Sequence, residues 1–306
     1  MVDTSIPPLV FFGTGPVAAE SLGLLAKNFA IEAVVTKPRA PHHHGPVPVL
    51  DVAQELGSKV LTVRNKKELD ELFSKGPVTS KFAVLIDFGI IVSQKIIDYF
   101  PLGILNSHFS ILPDLRGADP ITFAVLSGQK QTGVSLMFLV EAMDEGPLVG
   151  YGQYNLSPDI TTPELTKELI LLSDALLTHD VPRIFTGEAK GVDQTITKRG
   201  VSYSHKLSKA DGIIDWNKSA SELEREIRAY VGWPGSHTTL GDKAVIITKA
   251  TAIDGDATPG TLEATKKTLS VGCKEGVLQI ERIKPLGKSE MDIAGFLAGY
   301  GKVLSS

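Results

Sequence analysis

The sequence predicts an α/β unit with an open, mostly parallel sheet, followed by a small antiparallel β-barrel. Three observations carry this expectation. Short apolar runs alternate with amphipathic helical patterns from residue 9 to about 184. A glycine-rich turn joins the first run to the first helix. Past residue 230 the pattern changes to short alternating segments punctuated by glycine.

Leu9, Val10, Phe11 and Phe12 form an unbroken apolar run, Gly13-Thr14-Gly15-Pro16 follows at once, and Ala19, Leu22 and Leu25 then repeat at helical spacing. This reads as strand, tight turn, helix. Runs at 31–35, 60–63, 82–86 and 103–105 read as further strands, with helical patterns at 49–56 and 69–73. Continuous apolar runs mark strands covered on both faces, the condition of a parallel sheet. A strand at 133–139 and a hairpin-like stretch at 148–156 extend the sheet, and a long helical pattern at 163–184 closes the unit. Residues 187–207 are polar, basic and weakly periodic, so the expected division is 1–186, a basic linker 187–207, and 208–306. In the last part, Ser219, Ser221 and Glu222 crowd the start of a helix whose Leu223, Ile227 and Tyr230 share a face. Segments at 237–240, 244–250, 260–264, 268–272 and 277–283 supply the barrel strands.

Composition excludes several classes. With 306 residues, 42% of them hydrophobic and 22% charged, the chain is neither disordered nor fibrous. It is long enough to bury roughly three quarters of its unfolded surface without disulfides or metals. Cys273 has no second cysteine to pair with, and Met1-Val2-Asp3-Thr4 opens no basic or apolar leader, so a cytoplasmic location is expected. The best apolar run, 82–92, is broken by Asp87 and falls short of the ~18 residues a bilayer needs. From Lys206 onward 14 basic residues face 13 acidic ones, against 17 and 22 before it, so there is no broad nucleic-acid footprint. A local one is left: Lys190, Lys198, Arg199, Lys206 and Lys209 gather with only Asp193 among them.

Gly13 to Ala18 fits G-x-G-x-x-A, the turn on which a dinucleotide pyrophosphate would rest. The ribose-binding acid expected after the second strand is missing, although Lys37 and Arg39 would suit a 2′-phosphate. An NADP-dependent oxidoreductase therefore stands as one alternative; glycines that merely let the turn pass close to the sheet are the other. His42, His43 and His44 are adjacent in a proline-rich loop and point in different directions, so no metal site is expected there.

The stretch from Leu105 to Ile121 is the most informative. Asn106 and His108 lie two apart where an apolar strand ends, so their side chains share a side. An amide donor beside an imidazole suits stabilisation of an oxyanion and movement of a proton. The next strand leads to Asp144, which would reach the same edge if the two strands are neighbours.

Here the sequence resembles the folate-dependent formyltransferases. The pattern N-x-H-x-S-x-L-P-x-x-R-G-x-x-P-I, then T-G-V and D-x-G, is matched at Asn106, His108, Ser110, Leu112-Pro113, Arg116-Gly117, Pro120-Ile121, Thr132-Gly133-Val134, Asp144 and Gly146. Phe11-Phe12-Gly13-Thr14, Asp211-Gly212 through Trp216, Trp233-Pro234-Gly235 and Lys284-Pro285-Leu286-Gly287 extend the likeness over nearly the whole chain. Ser107, Phe109, Asp119 and Asp87-Phe88-Gly89 depart from the usual pattern. The resemblance implies a Rossmann-like formyltransferase fold with an OB-like C-terminal barrel. It also implies transfer of the formyl group of 10-formyltetrahydrofolate to the amino group of initiator methionyl-tRNA, with an amino-sugar nucleotide as the alternative acceptor. It makes Asn106, His108 and Asp144 catalytic. Ser110, Ile111, Leu112 and Pro113 would contact the folate, with Phe88 and Ile90 lining its pocket. Arg39 and Arg116 would meet the acceptor end, and Lys198, Arg199, Lys206 and Lys209 the phosphates. No metal is implied, and a monomer is expected.

Overall fold

Four fully buried residues, Leu9–Phe12, form β1 inside a seven-stranded sheet in the computed structural model of the chain, which describes residues 6–40 and 45–300. The three histidines at 42–44 lie outside the described residues. In chain order β1 is followed by α1 (Pro16–Asn28), β2 (Ile31–Thr36), α2 (Pro48–Glu55), β3 (Lys59–Thr62), α3 (Lys66–Phe73), β4 (Ala83–Leu85), α4 (Gln94–Ile97) and β5 (Ile104–His108). Next come β6 (Arg116–Gly117), α5 (Pro120–Leu126), β7 (Gln131–Phe138), β8 (Leu148–Asn155), α6 (Thr162–Phe185) and β9 (Tyr203–Ser204). The sheet order is β3-β2-β1-β4-β5-β7-β8, parallel as far as β5 and antiparallel from there to β8. This is the Rossmann-like arrangement, and it places the Asn106 strand directly beside the strand that leads to Asp144.

Two compact units result. The first combines the described residues up to Gly117 with Gln131–Asn155 and Thr166–Ser204. Its apolar core stacks Phe12 against Phe73 and sets it edge-on to Phe88 and Phe100, with Ile96 and Ile104 beside them. The stretch read from sequence as a linker is stitched to this unit as far as Ser204, through a parallel pairing of β6 with β9.

The second unit takes Ala118–Lys130, Leu156–Leu165 and the described residues from His205 onward. Its helix α7 (Ala220–Ala229) begins at Ser219, whose hydroxyl accepts from Glu222 N while the Glu222 carboxylate reaches back to Ser219 N. That capping box satisfies two otherwise orphaned donors. The strands β10 (Ser236–Leu240), β11 (Lys243–Ile253), β12 (Leu262–Ala264), β13 (Leu269–Gly272), β14 (Val277–Pro285) and β15 (Met291–Asp292) form one antiparallel half-barrel sheet, followed by α8 (Ile293–Tyr300). Leu223 and Ile227 of α7 and Phe296 of α8 fill its core with Val245, Val271, Leu278 and Ile280.

Candidate active site

The site grows from the carboxyl end of β5, where parallel-sheet folds bind ligands. Alternation along the strand sends Ser107 one way and Asn106 and His108 the other. Ser107 Oγ meets Ser173 Oγ of α6 at 2.7 Å. Asn106 and His108, 7% and 6% exposed, line the opposite side. A buried polar group needs a partner, and for His108 that partner is the Leu115 carbonyl, 2.9 Å from Nε2. A carbonyl only accepts, so the proton of the neutral ring sits on Nε2 and the Nδ1 lone pair is left open. Nδ1 lies 3.8 Å from Asp144 Oδ2. That oxygen also accepts from Gly117 N at 2.7 Å, which aims the carboxylate.

The loop after β5 is held from several sides. Ser135 of β7 accepts from Leu112 N at 3.0 Å and donates to the Ser110 carbonyl at 2.8 Å. Thr197 Oγ1 donates to the Leu112 carbonyl at 2.7 Å. Ser202 Oγ accepts from Leu115 N at 2.8 Å and donates to the Asp114 carboxylate. These contacts hold Leu115 at φ 55°, a left-handed conformation that costs a branched residue roughly 1–2 kcal/mol. The carbonyl so placed is the one that fixes the His108 tautomer. Gly117, at φ 102°, passes so close to β9 that a Cβ would lie 2.4 Å from the Ser204 carbonyl, so glycine is required there.

This arrangement offers an amide donor at Asn106, a proton acceptor at His108 Nδ1 and a counter-charge at Asp144. It is suited to transfer chemistry through an oxyanion and a mobile proton. A full-length comparison decides the family. Residues 10–179 match the family model described as formyl transferase, and residues 206–301 match that of the formyl transferase C-terminal domain. The chain belongs to the formyltransferase family. It is 34% identical to the methionyl-tRNA formyltransferase of Symbiobacterium thermophilum over 96% of this chain and 92% of that protein. It is likewise 34% identical to that of Myxococcus xanthus, over 97% and 96%. The N-formyltransferase of Helicobacter canadensis, solved with folinic acid and dTDP-3-aminofucose, shares the fold at TM-score 0.67 and 18% identity. That alignment covers 92% of this chain and all of that one.

In this formyltransferase the other sequence-predicted residues have varied surroundings. Ser110, Ile111, Leu112 and Pro113 are buried beside His108; Leu112 packs on Met137 and Leu148. The Phe88 ring lies in the β1 core, while Ile90 is partly buried at its margin. Arg39 bonds the Gly45 carbonyl and pairs with Asp51 at 3.2 Å. Arg116 is drawn into the site, 3.0 Å from Glu145 and 2.7 Å from the Gln194 side-chain oxygen. Lys198, Lys206 and Lys209 are exposed, and Arg199 bonds Gln131 Oε1 at 2.8 Å. The sequence reading did not find Leu115, Gly117 N–H, Ser135, Ser202 or Gln194, because each acts through backbone or partner groups that no local pattern announces.

The G-x-G turn has a structural explanation. A Cβ on Gly15 would fall 1.8 Å from Asp87 Oδ2, and Thr14 Oγ1 donates to the Asp87 and Phe88 carbonyls at 2.9 Å each. The glycines make room for the neighbouring loop, and an aspartate stands where a pyrophosphate would have to come. The oxidoreductase expectation loses its support here.

Proposed function

We propose that this formyltransferase carries the formyl group of 10-formyltetrahydrofolate to the amino group of initiator methionyl-tRNA, giving N-formylmethionyl-tRNA. The observation that carries the reading is the match, through both domains and nearly end to end, to proteins named for that acceptor. The site geometry supplies the chemistry. An α-amino group titrates near 7.7–8.0, so a useful neutral fraction exists near pH 7 without a strong base. As its nitrogen bonds to the formyl carbon, the formyl oxygen gains charge, which Asn106 is placed to stabilise as a donor. One proton leaves the attacking nitrogen and one reaches the departing folate nitrogen as the old C–N bond breaks. His108 Nδ1 is the open nitrogen for this relay, and Asp144, 3.8 Å away, balances the imidazolium formed in passing. Ser110, Ile111, Leu112 and Pro113 wall the folate side next to His108, with Ile90 and the loop around Phe88 beyond. Lys198, Arg199, Lys206 and Lys209 serve as tRNA phosphate contacts, with Arg39 toward the acceptor end. Among the described residues no helix is long and apolar enough to cross a membrane.

The test is transfer of labelled formyl from 10-formyltetrahydrofolate to methionine-charged initiator tRNA. Uncharged tRNA and an amino-sugar nucleotide serve as competing acceptors. Label on the charged tRNA alone supports the reading. Label on the sugar nucleotide alone overturns the acceptor but keeps the chemistry.

A further inference from the structure

Gln194 is 5% exposed and belongs to no motif, yet it touches the Asp144 loop at two points. Its Nε2 donates to the Asp144 carbonyl at 2.8 Å and to the Gly146 carbonyl at 2.9 Å. Its Oε1 accepts from Arg116 Nη2 at 2.7 Å. The orientation of the amide follows from chemistry: a guanidinium only donates, so the oxygen must face Arg116 and both amide protons must face the carbonyls. Arg116 Nη1 meanwhile holds Glu145 at 3.0 Å. Residues 144–146 are thus gripped as a unit from one side, and Asp144 has φ 53° within that grip. Left-handed backbone has some cost even for an aspartate, which tolerates it better than most residues, and the Gln194 and Arg116 contacts offset that cost by holding the loop in place. Release would let the Asp144 backbone relax and swing its carboxylate away from Gly117 N–H and His108.

We propose that Gln194 is a positioning residue for formyl transfer: its amide, oriented by Arg116, clamps the 144–146 loop so that Asp144 keeps its carboxylate facing His108. This rests on the reading of His108 and Asp144 as the proton-handling pair. It assigns the segment after α6 a part in catalysis, through Asp144, in addition to any contact with tRNA.

The experiment compares Gln194→Leu and Gln194→Glu with the wild type. Both variants keep the side chain's bulk, and the carboxylate can still accept from Arg116 but cannot donate to two carbonyls. Displacement of reacting groups by about 1 Å can cost ~100-fold, so kcat should fall on that order while KM for folate and for charged tRNA stays within about twofold. In an Asp144→Asn background Gln194→Leu should add no further loss, since it acts only through that carboxylate. An unchanged kcat, a rise confined to KM, or an equal loss in the Asp144→Asn background overturns the proposal. Should Gln194→Leu fail to fold, the isosteric Gln194→Glu carries the same comparison. A crystal structure of the variant reads the clamp independently of activity. Lengthening of the Nδ1–Oδ2 distance and loss of the Gly117 N–H contact are expected, and unchanged geometry overturns the clamp. Absence of transfer by the wild type would defeat the functional reading instead, while the variant structure still decides whether Gln194 holds Asp144.

Discussion

The turn after β1 and the loop after β5 both leave the carboxyl end of a parallel strand, but their polar groups are used in opposite ways. In the β1 turn, Thr14 satisfies two carbonyls of the β4 loop, and the space above Gly15 is taken by the Asp87 side chain. The turn is closed by the β4 loop, whose Asp87 carboxylate would repel an anion. In the β5 loop the polar backbone is tied down from outside by Ser135, Thr197 and Ser202. His108 Nδ1 and Asp144 Oδ2, the atoms proposed to handle the proton, are left 3.8 Å apart rather than hydrogen-bonded to each other. The proposed site therefore differs from the structural turn less in its residue types than in which polar atoms the fold leaves available.

The largest effect that would break this comparison is at His108. His108→Ala should lower the transfer rate of the folded protein roughly 100- to 1000-fold with charged tRNA, as loss of a transition-state partner does. Retained activity would mean that the β5 loop is as structural as the β1 turn. Gly15→Ala should do the reverse. The added methyl meets Asp87 and should destabilise by about 1–3 kcal/mol in a denaturant titration, while the folded fraction keeps its kcat. NADPH should protect neither protein from unfolding; protection would reopen the nucleotide reading of the turn.

Smaller effects are expected at the proposed phosphate contacts. Lys198→Ala, Lys206→Ala and Lys209→Ala should each raise KM for charged tRNA and reduce the salt slope of log KM by about one, with KM for folate unchanged. A slope insensitive to all three would place the tRNA elsewhere. The smallest effect concerns α6, on the side of the sheet away from His108. Asp174 has one carboxylate oxygen buried without a partner, and burial raises its pKa, opposed by Lys27. The folded value is then above the unfolded one. The penalty is absent below the ordinary carboxylate value and grows as pH rises through the interval between the two. Asp174→Asn should therefore raise the melting temperature slightly at pH 7 and leave it unchanged near pH 3. A gain of equal size at both pH values would assign the effect to packing instead of charge.

Much of the fold was legible because it is written in local periodicity. The runs at 31–35 and 60–63 are strands within a residue or two of their expected ends, and the helix at 163–184 is α6. The small unit was legible too: Ser219 and Glu222 cap α7 as their spacing implied. By contrast α8 was invisible, because Ile-Ala-Gly-Phe-Leu-Ala-Gly-Tyr is apolar on every side and has no amphipathic period to detect. The two-residue strands β6 and β9 were equally hidden, being too short to carry a pattern.

The sequence by itself determined that Asn106 and His108 share a side, since a strand alternates with period two whatever surrounds it. The resemblance to the formyltransferases, carried by a motif spread over forty positions, implied that Asp144 belongs with them. Only the tertiary structure decided which nitrogen of His108 is free, what holds Leu115 and Asp144 in left-handed backbone, and that Arg116 turns inward to Glu145 and Gln194. The physical reason is separation along the chain. Leu115 and Ser202 are 87 residues apart, and Gln194 and Asp144 are 50 apart. A hydrogen bond across such a distance obeys no repeat, and exists only once the sheet has brought its two ends together.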